Sequence, residues 1–325
     1  METRAVSNFS KMSSAIVMAI GSFLLLSVSC SSWPRPQPAA VAAEVRREVV
    51  YDTAHGAGLT MDVYFPPGDT CAARPAVMYV HGGGWEGGGK AMVAIVPGPA
   101  ELLRRGYVVA SVDYRLAPEH KFPAMLEDAK CAVRFLRAQA KDFQIDPRRI
   151  GIMGDSSGGH LAALVGLTDS RAGFDGPCAW SNETSRVQAV VDLYGPTDFT
   201  VAPKHLKQRE IALMEGVFGV TRPDDPILKR ASPVTYVSAG APPFLILQGD
   251  RDPLVPLERS REFFDKLKAA GADATLVVIT NFSHGFTPWG LKSRPTFAGR
   301  SRIIADFFDQ HLGPSKPDET AARPH

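Results

Sequence analysis

The segment Ile150-Gly-Ile-Met-Gly-Asp-Ser-Ser-Gly-Gly-His-Leu-Ala162 (IGIMGDSSGGHLA) passes from a short apolar run straight into a pair of serines flanked by glycines. An apolar run of strand length, then G-x-S-x-G, then a helix is the pattern of a sharp turn that lifts its central residue above a sheet. Small residues are needed two positions to either side, because neighbouring backbone approaches too closely for side chains. Ser156 has Gly154 and Gly158 at those positions, whereas Ser157 would have Asp155 and Gly159. Ser156 is therefore the candidate nucleophile, and Ser157 contributes the backbone amide that follows it. A Gly/Ser-rich turn can also be purely structural, so the partners of Ser156 decide the matter.

Outward from this turn the chain alternates strands and helices. Leu59, Met61 and Val63 alternate with Thr60 and Asp62, which predicts a strand with one buried face. Apolar runs of strand length follow at 76–80, 108–112, 150–153, 189–193, 244–247 and 274–279. Leu126, Ala129, Val133 and Leu136 fall on one helix face, as do Leu257, Phe264 and Leu267. Such alternation predicts a mostly parallel sheet covered by helices on both faces, with its ligand site at the carboxyl ends of the strands. Residues 198–236 are longer than a crossover requires and predict an insertion, helical over Leu206–Phe218, that forms a small lid.

A serine hydroxyl needs a base, and the base an orienting acid, which in this kind of sheet follow the serine in the order acid, then histidine. His284 opens the loop after the last apolar run and is the candidate base. His160 is too close to Ser156 along the helix, His205 falls in the insertion, and His311 and His325 fall in the final helix and tail. For the acid, the loop Gly249-Asp-Arg-Asp-Pro253 offers Asp250 and Asp252. Asp250 is placed to bond turn amides and Asp252 to reach His284, with Asp198 as the rival. Val80-His-Gly-Gly-Gly-Trp85 supplies unhindered amides that suit an oxyanion hole at Gly83 and Gly84, completed by Ser157, with His81 bracing the loop. Gly87-Gly-Gly-Lys90 lacks the spacing and hydroxyl of a phosphate loop, and no clustered ligands suggest a metal, so no cofactor is expected.

With these residues in place the chain resembles the α/β-hydrolase superfamily. Hormone-sensitive-lipase-like carboxylesterases and feruloyl/acetyl-xylan-type esterases share its HGGGW (81–85), DYRLAPEHKFPA (113–124), IDPRRIGIMGDSSGGHLA (145–162), GDRDPLVP (249–256) and FSHGF (282–286). The resemblance implies a catalytic triad of Ser156, Asp252 and His284, with amides of Gly83, Gly84 and Ser157 as oxyanion donors. It also implies hydrolysis of short-acyl carboxylic esters, among them acetyl or feruloyl esters of carbohydrates. Ser157 departs from the usual alanine, and Glu86 lies in an unusually glycine-rich loop; both bear on the substrate. An amidase or formamidase with the same triad, or a non-catalytic binding protein of the same fold, are the alternatives.

Composition fits this picture. The 325 residues carry 36 basic and 34 acidic side chains in interspersed order, so no basic face for nucleic acid is visible. Residues 1–30 are expected to be an export signal: Arg4 and Lys11 precede the apolar stretch 15–28. Ser27-Val-Ser-Cys30 resembles a lipobox, and lipidation of Cys30 would tether the protein to a membrane; cleavage near 38–43 would release it as a secreted or periplasmic protein. Residues 31–43 read as an extended Pro/Ala-rich linker, 44–312 as the catalytic domain and 313–325 as a disordered tail. Cys71, Cys131 and Cys178 allow at most one disulfide among themselves, and sequence does not choose it.

Overall fold

The computed structural model describes residues 38–54, 58–68, 73–201, 208–220, 222 and 224–313. The expected signal, Cys30, the first part of the linker, Cys71 and nearly all of the expected tail lie outside them. Eight strands form one sheet: β1 (Glu44–Asp52), β2 (Leu59–Phe65), β3 (Arg74–Val80), β4 (Val108–Val112), β5 (Ile145–Asp155), β6 (Val190–Leu193), β7 (Phe244–Gly249) and β8 (Ala274–Ile279). Their order is β1-β2-β4-β3-β5-β6-β7-β8, antiparallel for the first two pairings and parallel for the rest. The helices described are α1 (Pro38–Val41), α2 (Pro99–Arg104), α3 (Ala124–Ala138), α4 (Ser157–Leu167), α5 (Gln208–Phe218), α6 (Pro226–Ala231), α7 (Leu257–Ala269) and α8 (Phe297–Leu312).

Alternate residues of a strand face opposite sides of the sheet, and here both sides are core. Ala76, Met78 and Val80 of β3 join one buried cluster with α3, α4 and α7, while Val77 and Tyr79 join a second with α2 and α8. The chain steps from β3 to β4 on one side and returns to β5 on the other. Such a reversal, here at the carboxyl ends of β3 and β5, is where sheets of this kind bind ligands. The loop His81–Trp85 leaves one of these ends and Ser156 leaves the other.

Three expectations are corrected by the structure. The face of β2 expected to be solvated is covered: Asp62 is buried, accepting from Arg47 at 2.9 Å and from the Glu48 amide at 3.1 Å across the edge strand β1. On α7 the core takes Ser260, Phe263 and Leu267, whereas Phe264 is only partly buried. The end of the linker is not extended, since Pro38–Val41 is a helical turn and Val41 and Ala42 pack on the second cluster. No helix among the described residues is long and apolar enough to cross a membrane.

Candidate active site

Ser156 occupies the turn between β5 and α4 at φ 53° and ψ −120°, a conformation that side-chain-bearing residues rarely adopt. Its amide donates to Leu193 O at 2.8 Å, which anchors the turn to β6. A Cβ at Gly154 would lie 2.2 Å from Gly158 O, and one at Gly158 would lie 2.1 Å from Val80 O. Both glycines of the pattern are thus required by packing.

The loops after β7 and β8 lie side by side, joined where Arg251 N donates to Phe282 O and Phe282 N to Asp250 Oδ1. They bring together the residues expected from sequence. Ser156 Oγ lies 2.7 Å from His284 Nε2, and His284 Nδ1 lies 2.7 Å from Asp252 Oδ2. Asp252 is buried, and its Oδ1 accepts from the amides of Leu254 and Val255, each at 2.9 Å. Burial opposes its ionisation, but the bonds from His284 and from these amides outweigh it and hold the carboxyl below the usual carboxylate range. Asp250 instead spans the two loops, and Asp198 accepts from Thr200 within its own turn, so neither rival reaches His284.

The glycine loop keeps its amides available. Gly82 N donates to Asp155 Oδ1 at 3.0 Å, whereas no backbone bond among the described residues uses the amides of Gly83 or Gly84. Gly83 has φ +129° and no room for a side chain, which would lie 2.2 Å from Gly87 O. Ser157 is the first residue of α4, so its amide stands outside the helical ladder. His81 stacks on Tyr114 at 4.2 Å, and Tyr114 Oη donates to His81 O, which fits the bracing role expected for it.

Several supporting residues carry no signal in sequence spacing. Gln248 donates to Asp252 Oδ2 at 3.0 Å and is itself held by Ser260 at 2.9 Å. The Tyr194 ring packs edge-on against His284 at 5.0 Å from a left-handed backbone position. Asp155 accepts from Tyr79 at 2.7 Å as well as from Gly82; burial raises its pKa against the pull of both donors. Trp85 and Phe199 lie edge-on to His160, and Phe218 packs on both of them, whereas Phe286 and Trp289 on the His284 loop are 56% and 89% exposed. A disulfide joins Cys131 of α3 to Cys178.

Comparison with known proteins bears on this arrangement. The BD-FAE family model matches residues 61–267, which include the glycine loop, the serine turn and Asp252. The chain belongs to the BD-FAE family. It has the α/β-hydrolase fold, which solved structures share. One described as a truncated carbohydrate esterase from gut microbiota superposes with TM-score 0.72 at 28% identity, covering 83% of this chain and 96% of that one. An esterase of Thermogutta terrifontis superposes with TM-score 0.68 at 26% identity over 86% and 95%. Esterase LipC of Mycobacterium tuberculosis is 34% identical over 244 residues, 73% of this chain and 58% of that protein. An isoprenylcysteine alpha-carbonyl methylesterase of Arabidopsis thaliana is 30% identical over 74% of this chain and 56% of its own length. The chain thus spans little more than half of the curated relatives it matches.

Proposed function

We propose that the protein is a serine carboxylesterase acting on short-acyl esters through Ser156, His284 and Asp252. The observation that carries the reading is the unbroken relay of two 2.7 Å contacts from Ser156 through His284 to Asp252 at the strand ends. With the proton of His284 Nδ1 shared toward Asp252, Nε2 is the lone-pair nitrogen that faces Ser156 Oγ. As Oγ attacks the ester carbonyl carbon, Nε2 takes its proton, and Asp252 stabilises the imidazolium. The carbonyl oxygen becomes an oxyanion that accepts from the amides of Gly83, Gly84 and Ser157. Collapse expels the alcohol with the proton from Nε2. Water then attacks the acyl-enzyme with His284 as base, releasing the acid and restoring Ser156.

Acyl esters of carbohydrates are the proposed substrates, supported by the gut carbohydrate esterase and by a bifunctional GH43-CE protein of Bacteroides eggerthii that superposes with TM-score 0.70. The insertion at 198–236 is proposed as a partial lid, since Phe218 of α5 packs on Trp85 beside the glycine loop. Export, with or without lipidation at Cys30, is supported by the Cys131–Cys178 disulfide, because such bonds persist in oxidising compartments.

Initial rates on p-nitrophenyl acetate, butyrate, octanoate and laurate, with Ser156→Ala in parallel, test the reading. Fast cleavage of the short chains that vanishes with Ser156 is the expected result. Ser156-dependent cleavage of an anilide but of no ester would replace it with the amidase.

A further inference from the structure

An oxyanion hole built on glycines must hold its amides still without side chains of its own. Gly83, Gly84 and Trp85 run through φ of +129°, +65° and +62° in succession. Glycine takes such angles freely, but a left-handed tryptophan is strained and persists only where its surroundings hold it. Trp85 is held at three points. Its carbonyl accepts from Ala117 N at 2.9 Å, and its ring lies edge-on to Phe199 and Phe218 at 5.9 and 6.0 Å. Its indole N–H donates to His160 Nδ1 at 3.1 Å.

His160 is fully buried on the first turn of α4, and its amide donates to Ser156 O at 3.0 Å. Its Nε2 lies 2.7 Å from Ala231 O, the end of α6 in the insertion. A carbonyl accepts and an indole donates, so the ring must carry its hydrogen on Nε2 and its lone pair on Nδ1. Burial pushes its pKa down to about 4, which keeps the ring neutral and Nδ1 an acceptor. At the other end of the glycine loop, Gly82 is tied to Asp155. The two glycines with available amides therefore sit between two anchors, both on residues that flank Ser156 in sequence.

We propose that His160 and Trp85 form a positioning pair, outside the triad, that fixes the Gly83 and Gly84 amides relative to Ser156 and so sets the strength of oxyanion stabilisation. The inference rests on the esterase reading. It gives His160 a function beyond filling the core, and through Ala231 it ties the insertion to the same loop.

Three variants separate this role from mere packing. His160→Gln retains an acceptor for Trp85 and a donor for Ala231, His160→Leu has neither, and Trp85→Phe loses the donor but keeps a ring. kcat and KM on p-nitrophenyl butyrate are measured beside Ser156→Ala, and hydrogen exchange of the Trp85 indole proton is followed by ¹H–¹⁵N NMR. The expected result is a loss in kcat of about 10- to 100-fold for His160→Leu and Trp85→Phe, with KM within about threefold. Indole exchange should quicken in His160→Leu, while His160→Gln recovers most of kcat and slow exchange. If His160→Leu does not fold, Trp85→Phe and His160→Gln decide the same question. Equal losses in Gln and Leu, an effect on KM alone, or full kcat in Trp85→Phe would overturn the proposal. Absence of Ser156-dependent turnover in the native protein would instead overturn the esterase reading and the pair's role with it.

Discussion

Two carboxyl groups near the site are driven in opposite directions by their surroundings. Asp252 is buried yet ionised, because His284 and two amides donate to it. Asp252→Asn keeps the shape but presents an amide that holds His284 in the wrong tautomer, so kcat should fall by about 10³- to 10⁴-fold with little change in KM, as steady-state rates would read. Asp192, under the serine helix, is fully buried; Gly195 N donates to its Oδ1, and Oδ2 has no hydrogen-bond partner among the described residues. Burial pushes its pKa up to about 7. The folded state keeps this proton when the unfolded chain has lost it above about pH 4, so stability falls as pH rises from about 4 to about 7. Asp192→Asn removes that penalty. It should raise stability at pH 8 by up to ~4 kcal/mol and leave stability below pH 4 nearly unchanged, as urea melts at the two pH values would show.

Among the elements, the turn from β5 into α4 has the least room for change. Gly158 packs against the end of β3, where an added Cβ would meet three backbone atoms of Val80 and His81 within 2.7 Å. Backbone cannot yield as a flexible side chain does, so Gly158→Ala should destabilise by about 3 kcal/mol and abolish turnover even where protein remains folded, as thermal melts and ester assays would report. The borders of β4 and β8 and the placing of Ser156 on the turn follow from local pattern and were legible before the structure, whereas β1 was not, and β5 runs from Ile145 to Asp155, well beyond the apolar run 150–153. The face of α7 was not: Phe263 and Phe264 are adjacent and equally apolar, and only contact with Phe244, 5.5 Å from Phe263, decides which is core. Asp62 is similar, since its burial depends on Arg47 from another strand.

At the scale of the molecule, strain gathers where the strands end. Of the six side-chain-bearing residues with positive φ described, Trp85, Ser156, Tyr194 and Asn281 all lie at or next to the loops that build the site. A rigid sheet with two buried faces supports such strain, as active sites commonly require. The disulfide braces the same body from α3. Its sequence separation of 47 predicts a contribution of about 4 kcal/mol by restricting the unfolded chain. Reduction, or the Cys131→Ala/Cys178→Ala variant, should lower Tm by several degrees while leaving the site geometry, and hence KM, nearly unchanged.

The sequence by itself determined the alternation of strands and helices, the serine at the turn, and the chain order of Asp252 and His284. These rest on short-range rules: side-chain periodicity, the conformations open to glycine, and the order in which loops emerge from one edge of a sheet. Only the tertiary structure decided which cysteines pair, that Tyr194 supports His284, and that His160 holds Trp85 across 75 residues. Each of those is a contact between segments distant in the chain, and no local pattern encodes the distance between them.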